Sequence, residues 1–319
     1  MNDILKTIGE IGLVPVVKLE SASKAVGLGK ALVAGGIPVA EVTFRTAAAR
    51  DAIAAMSAEV PGLLVGAGTV TTVEQAQAAL RAGAQFAVTP GFNAAVVDYC
   101  IEHDLPVLPG ISGTEGIEKG IEKGLSVLKF FPAEPSGGVA MLDALAGPYA
   151  NLRFVPTGGI DTANLASYAR RPQVLAVGGS WMVRPDMIEA EDWISIERLC
   201  REAVMALHSF AFAHVGINSV DESAARKAVA LFSGLFGFAA KEGASSIFPG
   251  DGIEVIKGSF LGAMGHLAIR CNDVERAVAR FAGMGIAAKP ETAKMEKGRI
   301  KAVYLDLEIG GFAVHLVRA

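Results

Sequence analysis

The sequence predicts an α/β protein: a (β/α)8 TIM barrel, followed by a smaller α+β domain of two βαβββ modules. Three observations carry this. Short apolar runs alternate with Ala-rich amphipathic segments from Leu13 to about Leu207, the alternation stops after Phe212, and beyond it one pattern occurs twice. Apolar strands separated by helices of 3.6-residue period indicate a parallel sheet covered by helices.

The runs are Leu13–Leu19, Val39–Phe44, Leu63–Thr69, Phe86–Thr89, Pro106–Ile111, Val127–Phe131, Arg153–Thr157 and Val174–Gly179. Segments such as Val73–Ala82 and Asn93–His103 repeat apolar residues at helical spacing between them. Eight such units in roughly 200 residues fit a closed barrel, whose active site lies at the C-terminal strand ends. An open doubly wound sheet would want a Gly-rich turn after its first strand. Here that strand runs into Lys18-Leu19-Glu20.

After Phe212 the order becomes strand His214–Asn218, helix Ser223–Leu235, and strands Ile247–Phe248 and Gly252–Ile256. It then repeats as strand His266–Arg270, helix Val274–Met284, and strands Lys301–Asp306 and Phe312–Val317. This is an internal duplication of about fifty residues per copy. The expected division is residues 1–207 and 213–319, joined by an apolar connector, Leu207–Ala213, that reads as packed rather than as a free tether.

Composition narrows the function classes. Of 319 residues 51% are hydrophobic and 19% charged, which excludes a disordered chain. A net charge of −4 with no long basic run excludes binding of nucleic acid through its phosphates. The mean hydropathy of +0.41 is high. The longest apolar stretches are nevertheless broken by Lys18, His208 and His214, short of the roughly 20 residues a span needs, so no membrane partner is expected. Asp3, Lys6 and Glu10 do not form a secretory leader. Cys100, Cys200 and Cys271 are far apart and read as reduced core thiols of a cytoplasmic protein.

The sharpest chemical feature is Val127-Leu128-Lys129-Phe130-Phe131-Pro132. Burying a lysine in an apolar strand disfavours its charged form, which is how an amine becomes a nucleophile toward a carbonyl. The bland alternative, a lysine snorkelling at a strand end, sits poorly with the flanking phenylalanines. Strand alternation puts Glu41, Thr43 and Arg45 on one side of the second run. They can serve as base and anion clamp, or as a structural Glu–Arg pair at the barrel mouth, and spacing supports both equally. Pro156-Thr157-Gly158-Gly159-Ile160 and Gly178-Gly179-Ser180 end the last two runs. Barrels often hold phosphate there, on backbone amides freed by glycine.

These segments, with Gly66-Ala67-Gly68-Thr69-Val70, Thr89-Pro90-Gly91, Pro109-Gly110-Ile111-Ser112 and Lys129-Phe130-Phe131-Pro132-Ala133-Glu134, resemble the 2-keto-3-deoxy-6-phosphogluconate (KDPG) and 4-hydroxy-2-oxoglutarate (KHG) aldolase family over residues 5–207. The resemblance implies a class I aldolase, a homotrimer without metal or organic cofactor. Lys129 then matches the Schiff-base lysine, Glu41 the general acid/base, and Thr69 a hydroxyl beside the reacting carbons. Arg45 matches the carboxylate grip, Pro90 and Phe131 the pocket walls, and Thr157, Gly158, Gly159 and Ser180 the phosphate cradle. Phe44 and Phe92 depart from the family pattern without touching these positions.

The duplicated region resembles the vicinal oxygen chelate, or glyoxalase-like, superfamily. That resemblance implies one divalent metal (Zn, Ni, Fe or Mn) held by His214, Glu254, His266 and His315. Three of the chain's five histidines fall at these positions. The superfamily more often carries Glu where this chain has His315, which leaves the metal's identity open, and some members are metal-free binding modules.

The expected function is cleavage of KDPG, a phosphorylated 2-keto acid, to pyruvate and glyceraldehyde 3-phosphate. The alternatives are a KHG aldolase releasing glyoxylate, and a non-catalytic sensor with a ligand-binding C-terminal domain. A bifunctional enzyme with glyoxalase-like chemistry is a further possibility.

Overall fold

Each of the eight runs holds a strand in the computed structural model, which describes residues 2–319. They are β1 (Leu13–Val17), β2 (Val39–Thr43), β3 (Leu64–Gly68), β4 (Phe86–Val88), β5 (Val107–Leu108) with β6 (Gly110–Ile111), β7 (Val127–Phe130), β8 (Arg153–Pro156) and β9 (Val177–Gly179). The fifth run is split at Pro109, which has no N–H to give a ladder. Its carbonyl still accepts from the Lys129 N–H at 3.0 Å.

The strands form parallel sheets in the orders β5-β4-β3-β2-β1-β9 and β6-β7-β8. Parallel bridges Phe154–Val174 and Thr157–Gly178 join β8 to β9. With the chain continuous through Pro109, the ring is closed.

Helices between the strands start where the sequence supplies caps. Thr72 accepts from the Gln75 N–H ahead of Val73–Arg81, and Asn93 from the Val96 N–H ahead of Ala94–Glu102. Apolar residues from Ile8 to Leu207 make one continuous core. The chain divides after Leu207 into two units. Helix Trp193–His208 runs to the division and the next strand starts at Ala211, so only Ser209 and Phe210 remain of the expected connector. Its other apolar residues belong to the elements on either side.

The second unit is an eight-stranded sheet. Its strands are β10 (Ala211–Ile217), β11 (Ala240–Glu242), β12 (Ser246–Pro249), β13 (Ile253–Ile256), β14 (Gly265–Cys271), β15 (Ala288–Glu296), β16 (Arg299–Ile309) and β17 (Phe312–Arg318). Helix Glu222–Phe236 follows β10 and helix Val274–Gly283 follows β14, so each half runs β-α-β-β-β. The order β11-β12-β13-β10-β14-β17-β16-β15 mirrors the halves about an antiparallel β10–β14 seam. Each half has its own small core, one around Val229, Ile247 and Val255, the other around Val274, Val303 and Leu316.

Among the described residues, no helix is long and apolar enough to cross a membrane. Cys100, Cys200 and Cys271 are buried and unbridged, and burial pushes their thiols up to about 11, 12 and 12.

Candidate active site

In the barrel, β2 and β7 point a carboxylate and an amine at each other. Lys129 Nζ lies 3.1 Å from Glu41 Oε1 and 3.4 Å from Oε2. Both residues are buried, at 5% and 2% exposure. A charged pair at that depth is costly to desolvate and survives only with close partners. Room for the carboxylate comes from the neighbouring strand. A Cβ on Gly68 would stand 2.4 Å from Glu41 Oε1, so only glycine fits opposite it.

Arg45 lies beyond the end of β2 and is exposed, and its Nε donates to Thr43 Oγ1 at 3.2 Å. Thr43 in turn donates to the Val17 carbonyl at 2.8 Å. The Glu41 carboxylate therefore pairs with Lys129, and the Glu–Arg pairing weighed from strand alternation does not form. Of the two readings that spacing left open, this geometry removes the structural Glu–Arg pair, while Arg45 stays on the Thr43 side of the strand, as alternation placed it.

Thr69, half-buried, follows Gly68 with φ 54°, a left-handed conformation that costs a threonine about 1 kcal/mol or more. The Phe131 ring centroid lies 5.4 Å from Lys129 Nζ, within cation–π range. Phe131 and Pro90 line one cleft of 290 Å³ with Phe92, Ile111 and Ser112. Thr89 ties its two walls together: its hydroxyl donates to the Gly91 carbonyl at 2.6 Å and accepts from the Gly110 N–H at 3.2 Å.

Thr157, Gly158 and Gly159 form the turn after β8, the glycines at φ 103° and 79°. Thr157 packs against Gly178, where a Cβ would meet its Oγ1 at 2.2 Å. Ser180 is exposed beyond β9, after Gly179, whose missing side chain leaves space for the Trp181 ring.

The second unit gathers its four polar residues from four adjacent strands, β13, β10, β14 and β17. The ligand nitrogens of His214, His266 and His315 lie within 4.8 Å of one another. Glu254 Oε2 is 3.0 Å from His214 Nε2 and 3.2 Å from His266 Nε2. Burial pushes His315 down to about 3, with His266 and His214 adding to the effect, so it stays neutral. Burial acts to raise Glu254, but hydrogen bonds from His214, His266 and Ser246 outweigh it and hold the carboxyl well below the usual range.

Sequence reasoning missed two residues here. The Tyr304 ring is tilted against that of His315, the centroids 4.7 Å apart. Gly216 faces His266, whose ring would lie 2.0 Å from a Cβ at that position. A glycine between His214 and Asn218 was the visible signal for the second.

The profile of the family "KDPG and KHG aldolase" matches residues 4–199. The chain belongs to that family. It is thus an aldolase, a lyase, on a (β/α)8 barrel. It is 52% identical over 204 residues to the 2-dehydro-3-deoxy-phosphogluconate aldolase of Treponema pallidum, covering 64% of this chain and 97% of that one. It resembles the KDPG aldolase of Legionella pneumophila with pyruvate captured as a covalent carbinolamine, at TM-score 0.61 and 36% identity, over 62% of this chain and 97% of that one. The Zymomonas mobilis enzyme crystallised with 3-phosphoglycerate gives TM-score 0.60 and 37% identity, over 63% and 94%. The family match ends at residue 199, ahead of the C-terminal unit.

Proposed function

We propose that the barrel cleaves KDPG to pyruvate and glyceraldehyde 3-phosphate through an imine on Lys129. The observation that carries this is the buried 3.1 Å contact between Lys129 and Glu41. At that distance the ammonium can pass a proton to the carboxylate, which leaves a neutral amine beside a carboxylic acid. The amine adds to the C2 ketone, Glu41 gives its proton to the departing hydroxyl, and loss of water leaves a protonated imine beside the carboxylate.

Glu41 as carboxylate then takes the C4 hydroxyl proton. The C3–C4 bond breaks, its electrons pass into the imine as an enamine, and the aldehyde leaves. Glu41 returns the proton to C3, and water releases pyruvate from Lys129. The chemistry needs no cofactor beyond the lysine.

Arg45 holds the substrate carboxylate, Thr69 sets a hydroxyl beside the reacting carbons, and Pro90 and Phe131 wall the pocket. Thr157, Gly158, Gly159 and Ser180 take the phosphate. The covalent carbinolamine of the Legionella relative supports covalent chemistry with pyruvate, and the phosphoglycerate crystallised with the Zymomonas relative supports a phosphorylated ligand. Borohydride reduction with pyruvate, followed by peptide mass mapping, tests the reading: a reduced pyruvyl adduct is expected on Lys129. Folded protein without an adduct would overturn it.

The working assembly is a homotrimer, as the family resemblance implies, and light scattering on the purified chain measures it. Its three unbridged thiols fit a reducing cytoplasm.

The C-terminal unit is proposed as a metal-binding domain of the vicinal oxygen chelate kind. Four donors bound tetrahedrally at zinc distances stand about 3.3 Å apart, and contacts of 3.0 and 3.2 Å among Glu254, His214 and His266 are close to that. His315 Nε2 is buried without a hydrogen-bond partner among the described residues, so a lone pair there has a use. His214, Glu254, His266 and His315 would hold a Zn, Ni, Fe or Mn ion, which supplies Lewis acidity toward a ligand oxygen when bound. Metal analysis should find one equivalent in the purified chain and none in His266→Ala. Absence from both would leave a metal-free binding domain.

A further inference from the structure

The turn after β8 presents its two polar groups on different terms. The Gly158 carbonyl accepts from the Glu134 N–H at 3.0 Å, and the Gly159 carbonyl accepts from Asn164 Nδ2 at 3.0 Å. Among the described residues the Gly159 amide donates to no acceptor, and the Gly158 amide, turned toward the Gly178 carbonyl by the Thr157–Gly178 bridge, makes no bond of standard geometry. Successive N–H groups in such a turn form a concavity for an anion. Its shape depends on whatever holds the carbonyls back.

Glu134 does this from the loop after β7. Its Cβ and Cγ lie 2.7 and 2.8 Å from where a Cβ on Gly159 would sit, so its stem fills that space. Its carboxylate accepts from the hydroxyl of Tyr168, a fully buried residue. Burial, reinforced by that bond, pushes the Tyr168 phenol well up, so it remains a donor. Gly138, at φ 58°, leaves space for both: a Cβ there would lie 3.1 Å from Glu134 Oε1 and from the Tyr168 hydroxyl. The strap therefore runs from the core through Tyr168 and Glu134 to the glycine turn, with Asn164 holding the turn's other carbonyl.

We infer that Tyr168, Glu134 and Asn164 are positioning residues that aim the amides of Gly158 and Gly159 at the phosphate of a phosphorylated 2-keto acid, and so set the preference for phosphorylated over unphosphorylated substrates. This rests on the phosphate reading of the turn. None of the three takes part in the proposed chemistry at C2–C4, so their removal acts on recognition rather than on bond cleavage.

The test measures kcat and KM on KDPG and on KHG, with inorganic phosphate as a competitive inhibitor, for Tyr168→Phe, Glu134→Ala and Glu134→Gln. Losing one charge-assisted hydrogen bond should raise the KDPG KM and the phosphate Ki about tenfold in Tyr168→Phe and Glu134→Ala. The constants on KHG should stay within about twofold, because no phosphate is recognised there. Glu134→Gln should restore the parent values, since its amide oxygen still accepts from Tyr168 and its stem still packs. Equal losses on both substrates would make the strap merely structural and overturn the inference. So would an unchanged phosphate Ki in variants of a phosphate-sensitive parent.

If the parent is insensitive to phosphate and Ser180→Ala leaves the KDPG KM unchanged, the phosphate reading itself fails, and the inference with it. Should Tyr168→Phe not fold, the two variants at exposed Glu134 decide alone.

Discussion

The two units solve the problem of gathering polar side chains in opposite ways. In the barrel, Glu41 and Lys129 come from β2 and β7, which are not neighbours, and meet across the interior of a closed ring. In the C-terminal sheet, His214, Glu254, His266 and His315 come from four neighbouring strands. A closed ring lets distant strands face each other and keeps one ion pair dry. An open sheet can only crowd side chains projecting from adjacent strands, which gives several donors at about the spacing a cation needs. Both sites use the same device, a glycine on the next strand. Gly68 makes room for Glu41, and Gly216 for His266.

The sharpest way to separate the units is to remove the nucleophile. Lys129→Ala should lower aldol cleavage about 10⁴-fold or more while leaving metal content unchanged, measured by coupled assay and elemental analysis. Gly68→Ala tests the shared device in the barrel. Displacing the acid/base group should cost about 10²-fold or more in kcat, with the far-ultraviolet spectrum preserved. Gly216→Ala is its counterpart: pushing the His266 ring aside should weaken metal binding about 10- to 100-fold and leave the aldolase constants alone. A loss of aldolase activity in that variant would break the comparison.

The smallest effect concerns stability. Burial, with Arg276 and Arg280 adding to it, pushes His208 down to about 3. The unfolded histidine binds a proton near pH 6.5, so the native form loses stability as pH falls below that value and stops losing it near the folded pKa. The slope should reach at most about 1.4 kcal/mol per pH unit, read by urea unfolding. His208→Leu should flatten it.

Most of the barrel was legible because its strands are apolar on both faces and its helices carry side-chain caps such as Thr72 and Asn93. The strands that escaped notice, β11 and β15, are the two edges of the C-terminal sheet. β11 is exposed throughout, and β15 carries Lys289, Pro290 and Lys294, the polar residues that edges use against unwanted pairing. Such a segment reads as a loop. The apolar run at Leu207–Ala213 misled in the other direction, since a helix end and a strand start together look like a connector. Lys129 and the four C-terminal donors stood out as polar residues inside apolar strands. That Glu41 faces Lys129 rather than Arg45 was not legible, because pairing across a ring depends on strand order and not on spacing along one strand.

Both tryptophans of the chain, Trp181 and Trp193, belong to the barrel unit. Trp181 lies over Gly179, one residue from Ser180 at the end of β9. The tryptophan fluorescence of this protein is therefore the barrel's own optical signal, with one of its two tryptophans next to the proposed phosphate cradle. A change in tryptophan emission during a titration with a phosphorylated ligand follows the barrel without any added label, since the C-terminal unit holds no tryptophan.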